Sequence, residues 1–257
     1  NTPFPTSSGV ALWHSTLDND SAIENPLKGT SPSQYVVTYD TGVIGNSVVI
    51  DGAEEGIIVP IVENTDWNAS KGSIEFYYNP SVEEDENQAL VLCSIRTDSN
   101  NKIRVVKEST SGASALGYQY VNNGINNRVV INQADYASLW NIGEWLHFMV
   151  NWDDSQGIET DLQFYINGNE LPHTRYGSEI NSDNFSLPAT LYICTDEIGN
   201  PDPQTGICQG KIDDFKILGQ TQAPAPSNTP IPTQTNTPIP THTSTPIPTA
   251  TLTVIPT

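Results

Sequence analysis

The residues best placed to do chemistry are carboxylates near the two ends of the charged part of the chain. Leu17-Asp18-Asn19-Asp20 sets two acids in a polar stretch directly after an apolar run, and Ile212-Asp213-Asp214-Phe215 sets two more inside another run. Carboxylates together with backbone carbonyls suit hard cations such as Ca²⁺, which takes about six to eight oxygens. If the first and last strands are neighbours, Asp18, Asp20, Asp213 and Asp214 meet around one structural Ca²⁺ that pins both ends. The competing reading is local: Asp18 and Asp20 shape a turn, and Asp213 and Asp214 hydrogen-bond a loop.

A second chemistry is stacking on sugar. Such a site needs exposed rings with amides and acids close by. Tyr118 and Tyr120 fall two apart on one strand face, ahead of Asn122 and Asn123, while Trp140 and Tyr176 fall in or near loops. These four rings are the ligand-binding candidates. Trp13, Trp145 and Trp152 read as core, the commoner fate of a ring in a sandwich. Asn68-Ala69-Ser70 and Asn184-Phe185-Ser186 fit the N-glycan acceptor pattern.

Net charge narrows the partners. The chain carries 30 Asp and Glu against 10 Lys and Arg, a formal charge of −20. A phosphate backbone needs stripes of Lys and Arg, and here the bases are scattered along the sequence. The same deficit argues against docking on anionic lipid, and no apolar run approaches a membrane span. Catalytic motifs are missing too. Glu83, Glu84, Asp85 and Glu86 read as a solvated acidic loop. His14, His147, His173 and His242 lie far apart, and neither a nucleophile elbow nor a phosphate loop occurs. The chain reads as non-enzymatic.

The elements that must position these groups are strands. Twelve short runs, from Val10-Ala11-Leu12-Trp13-His14 to Lys211–Leu218, alternate or are briefly apolar and rich in Val, Ile, Tyr and Phe. Asn167-Gly168 marks a hairpin. Strands at this spacing imply an all-β antiparallel sandwich of the jelly-roll kind over residues 9–219. Cys194 and Cys208 bracket a turn-rich loop. They read either as a disulfide or, with Cys93 in the buried run Ala89–Ile95, as three core thiols.

Residues 220–257 are different. Asn228–Thr235, Asn236–Thr243 and Ser244–Thr251 repeat an eight-residue unit without a single charge, and residues 1–8 carry nearly the same unit. Repeated Pro imposes an extended polyproline-II tail, and Thr beside Pro is the composition of O-glycosylated stalks. The acceptors would be Thr229, Thr233, Thr235, Thr237, Thr241, Thr243, Thr245, Thr249 and Thr251. Such a stalk, and a disulfide, imply a secreted or cell-surface protein.

Five stretches, in order, resemble one family: GNSVVIDGAEEGIIVP (45–60), GSIEFYYNP (72–80), GEWLHFMVNWD (143–153), LQFYINGNEL (162–171) and GKIDDFKIL (210–218). Together they are similar to the laminin-G-like, concanavalin A-like jelly rolls. The resemblance implies a structural Ca²⁺ near the chain ends. The glycosidases of this fold carry a Glu-x-Asp-x-(x)-Glu run, which this sequence lacks. Two functions remain. One is a binding module for a polysaccharide or glycoprotein ligand. The other is a structural subunit whose partners are copies of itself in an extracellular filament or sheath.

Overall fold

The computed structural model describes residues 11–52, 55–61, 67–86, 88–110, 113–195 and 208–222. The repeat tail, with its nine candidate O-glycosylation threonines, and the N-terminal repeat-like unit lie outside the described residues. The chain opens with β1 (Ala11–Ser15), β2 (Gln34–Val36), β3 (Thr38–Thr41), β4 (Asn46–Ile50) and β5 (Gly56–Ile61). The long strands follow: β6 (Lys71–Pro80), β7 (Leu90–Asp98), β8 (Asn101–Thr110), β9 (Ala113–Asn122) and β10 (Ile125–Asn132). Then come β11 (Leu146–Asp153), β12 (Leu162–Ile166), β13 (Asn169–Glu170), β14 (Thr174–Tyr176), β15 (Ala189–Ile193) and β16 (Gly210–Leu218). Two helical turns, α1 (Asp20–Glu24) and α2 (Gln133–Tyr136), fill connections.

The strands form two antiparallel sheets. One runs β13-β12-β11-β6-β16-β4-β3, with β1 also on β16; the other runs β14-β10-β9-β8-β7-β15-β5-β2. The two inner faces enclose one core. Phe76 and Phe148 oppose each other on β6 and β11 and stack at 5.4 Å, and Phe215 stacks on Phe76 at 5.4 Å. Each such burial contributes about 1.5–3 kcal/mol. All twelve expected runs are strands. β2, β3, β13 and β14 are additions to that set, because two to four residues are too few to show an alternation.

Turn chemistry sets the register. Asn167-Gly168 joins β12 to β13 with φ of 52° and 76°, and Asn123-Gly124 joins β9 to β10 with φ of 49° and 77°. Paired positive φ values give the hairpin turn whose twist matches its strands. The last strand closes the sandwich. One edge of β16 pairs with β6, and its other edge is divided, residues 210–212 to β4 and residues 215–218 to β1.

Cys194 and Cys208 are disulfide-bonded, with Cα atoms 4.7 Å apart, tying the end of β15 to the start of β16. Cys93 is buried in β7 outside the bridge. A loop of this length closed in the unfolded chain is worth about 3 kcal/mol. Replacing both bridged cysteines with serine should therefore lower the free energy of unfolding by about 3 kcal/mol in denaturant titration. An unchanged midpoint would contradict this.

Candidate functional site

The four aspartates come to one region, each engaged by protein groups. Asp213 and Asp214 sit at the seam of β16, where a bulge with Asp214 at φ 46° separates the β4-paired and β1-paired segments. Asp213 Oδ2 accepts from the amides of Val43 and Ile44 at 2.7 and 2.9 Å, holding the β3–β4 turn. Asp18 Oδ1 accepts from the Asn46 amide at 2.8 Å, at the same turn. A side chain at Gly45, which has φ +69°, would collide with Asp18, so glycine is required there. Asp214 lies between His14 Nε2 at 2.7 Å and Lys216 Nζ at 2.5 Å. Asp20 accepts from the Tyr39 hydroxyl at 2.5 Å. Each acid thus has its own protein partner, and Asp214 already faces two bases. Among the described residues no three His, Cys, Asp or Glu side chains form a group that could hold a metal. Asp213 Oδ1 is buried without a hydrogen-bond partner.

Three of the four candidate rings are core. Tyr118 packs edge-on to Phe164, Tyr120 packs on Phe185 and donates to the Ala69 carbonyl, and Trp140 packs on Tyr78 and Tyr136 and donates to the Val82 carbonyl. All three are buried. Only Tyr176 is open to solvent, at 47%.

Tyr176 belongs to a surface that sequence order conceals. The register aligns Tyr176, Arg128, Gln119, Arg104, Ser94 and Tyr192 in one row across β14, β10, β9, β8, β7 and β15. The next row on the same face is Asn126, Val121, Lys102, Arg96 and Thr190. Residues in between, such as Ile103, Val105, Tyr118, Tyr120 and Val129, enter the core, so these rows face outward. Five interstrand steps of about 4.8 Å make the first row about 24 Å long.

The face is internally ordered. Arg128 lies over the Tyr176 ring at 5.1 Å, and Arg96 lies over the Tyr192 ring at 4.4 Å. Glu108 accepts from Arg128 Nη1 at 3.2 and 3.3 Å and from Gln119 Nε2, and Gln119 Oε1 accepts from Arg104 Nε at 2.7 Å. The Ser94 hydroxyl is buried in the row without a partner. Tyr176 is held from behind. Arg175, its neighbour on β14, makes a two-pronged pair with fully buried Asp161 at 3.1 and 2.9 Å, and Asp161 also accepts from the Ile180 amide.

Hollows flank the sheets at both ends of β6. One, of about 460 Å³, is lined by Trp67, Asn68, Ser70, Ser182, Phe185 and Ser186. It unites the two N-glycan acceptor sequences. Asn68 is exposed, and Asn184 Nδ2 donates to Asn122 at 2.9 Å. The other, of about 420 Å³, includes Asn79, Asn141, Ile142, Glu144, Trp145 and Lys211.

A family profile described as the concanavalin A-like lectin/glucanases superfamily matches residues 51–225. The chain belongs to this superfamily. A search of curated proteins found no match. Among solved structures, domain 4 of AbnA, a GH43 extracellular arabinanase from Geobacillus stearothermophilus in complex with arabinotriose, superposes with a TM-score of 0.56 at 17% identity. That alignment covers 84% of this superfamily member and 95% of that domain. The botulinum neurotoxin serotype G binding domain aligns with a TM-score of 0.58 at 14% identity, over 82% of this chain and 48% of that one. A botulinum neurotoxin type C structure, whose cell entry depends on interaction with two ganglioside molecules, gives 0.56 at 14%, over 83% and 48%. The chain thus spans about half the length of these toxin chains. At such identities the likeness is one of fold.

Two outcomes follow from this geometry. Burial pushes the Asp213 carboxyl up to about 7, against the two amides that favour its anion, and Asp214 beside it adds to the rise. The folded protein then keeps a proton that the unfolded chain releases above about pH 4. Stability from this group is full at acid pH and is lost as pH rises to about 7. Asp213→Asn cannot ionise and should flatten the pH dependence of the unfolding free energy between about 4 and 7; an unaltered profile would contradict the assignment. Asp161→Asn should destabilise the fold by about 3–5 kcal/mol, because it leaves Arg175 unpaired in the interior. A loss under about 1 kcal/mol, the range of exposed pairs, would show that the pair is not buried in solution.

Proposed function

We propose that this chain is an extracellular, non-catalytic module that binds carbohydrate, and that the outward face of β8, β9, β10 and β14 takes the glycan. The observation that carries the reading is the ordered outer row from Tyr176 to Tyr192. It offers guanidinium groups, held by the buried Gln119 amide, beside one solvent-open ring, over a length suited to an oligosaccharide. The superfamily contains lectins, and the arabinanase domain that shares the fold was solved with arabinotriose.

Two further observations support a binding role without catalysis. Glycoside hydrolysis uses two carboxyl groups poised across the scissile bond. Here Glu75 is paired with His147 at 2.9 Å, and Asp214 with His14 and Lys216, so each holds neighbouring strands together. The disulfide suits an oxidising compartment. In this reading the Thr/Pro tail is a glycosylated stalk that holds the module away from its attachment point.

Affinity electrophoresis against a panel of polysaccharides tests the proposal. Retardation should occur with at least one glycan, and Tyr176→Ala combined with Gln119→Ala should weaken it by tenfold or more. Binding lost instead in Ile142→Ala or Trp145→Ala, with the Tyr176 variant unaffected, would move the site to the hollow beside β6. No retardation by any polysaccharide would contradict the reading.

A further inference from the structure

We infer that this face selects an acidic polysaccharide, one bearing a carboxylate or sulfate on successive sugars, over a neutral one. The inference rests on the carbohydrate-binding reading and specifies its ligand. Its first support is where the charge lies. Arg96, Lys102, Arg104 and Arg128 share the outer rows of one sheet, four of the ten bases in the chain. Glu108, one of thirty acids in the chain, stands outside these rows, four residues along β8 from Arg104, and is paired with Arg128. Six bases and thirty acids make up the remainder. A protein with a formal charge of −20 therefore gathers a cationic patch on one flat surface. Bases that look scattered in sequence are brought together by antiparallel pairing, Arg96 opposite Lys102 and Arg104 one strand from Gln119, which opposes Arg128.

The second support is what the rings do. A platform for neutral sugars leaves ring faces open for stacking. Here each of the two tyrosines in the row has a guanidinium laid over it, Arg128 on Tyr176 and Arg96 on Tyr192. Stacking fixes the plane of the guanidinium and orients its fork of N–H donors, which matches the two oxygens of a carboxylate or sulfate. Glu108 aligns Arg128 and Gln119, and Gln119 in turn orients Arg104.

The third support is spacing. Arg128 and Arg104 are two strands apart, about 9–10 Å, and Lys102 is one residue pair along the strand from Arg104, about 7 Å. Cations repeated at this interval across the sheet suit a chain with regularly placed anionic groups better than a single small anion.

The experiment compares polymers that differ only in charge. Binding of the whole chain to polygalacturonate is measured beside its fully methyl-esterified form, and to dextran sulfate beside dextran, by calorimetry. The expected result is at least tenfold preference for the charged member of one pair; which pair responds identifies carboxylate or sulfate as the group recognised. Arg104→Gln, and separately the more peripheral Lys102→Gln, should each cut that preference severalfold, with thermal melting confirming that the fold persists. Equal or better binding of the uncharged polymers would overturn the inference while leaving carbohydrate binding intact. A polysaccharide panel that yields only neutral ligands would overturn it in the same way. Binding of single-stranded DNA with no polysaccharide bound would overturn both the inference and the functional reading beneath it, as would an absence of glycan binding altogether.

Discussion

The antiparallel register of β7 to β10 is the constraint on which both the core and the outward arginine face depend. Side chains alternate with a period of two, so a slip of one residue exchanges the faces of every strand. Such a slip would drive Arg104 and Arg128 into the interior and bring Tyr118 and Tyr120 out. Each unpaired charge so buried would cost several kcal/mol. The Asn123-Gly124 turn aligns β9 with β10, and Tyr118 against Phe164 and Tyr120 against Phe185 lock the inner face. The core thus places the arginines: the packing that buries the tyrosines leaves the guanidiniums in a row.

Closure of the sandwich depends on β16 in a comparable way. It borders β6 on one edge and shares its other edge between β4 and β1, so it joins the beginning, middle and end of the fold. The break in that shared edge leaves backbone groups of the β3–β4 turn to be satisfied by side chains, and Asp213 and Asp18 accept from them. The disulfide reinforces the same strand from its start. The acids whose chemistry suits a cation therefore act as anchors for a turn. Their convergence on one region follows from the neighbourhood of the first and last strands, as the order of the strands implies.

How much of this is legible in the sequence depends on the length of each signal. Runs such as Gly72–Tyr78 and Trp145–Trp152 declare strands because their alternation lasts several residues. β2, β3, β13 and β14 are too short to do so. Alternation also shows which residues share a face without showing which face meets water. Ring chemistry alone points Tyr118 and Tyr120 outward. The intervening Gln119, with Arg104, Lys102 and Arg128 on neighbouring strands, holds the opposite signal: charged and amide side chains at the alternate positions mark the wet face. Cross-strand neighbours such as Arg104 and Arg128 are distant in sequence, so the cationic surface emerges only when pairing is known. For Cys194 and Cys208 the sequence leaves two readings open, and the structure selects the bridge.

Glycan recognition by one face of one sheet is tested most directly by NMR of the chain titrated with the tightest-binding oligosaccharide. The Nε signals of Arg96, Arg104 and Arg128, with the backbone amides of β8, β9, β10 and β14, should shift together and saturate at one dissociation constant. Shifts confined to the hollow around Trp67 and Phe185, or to the Asn141–Trp145 loop, with the arginine signals unmoved, would contradict it.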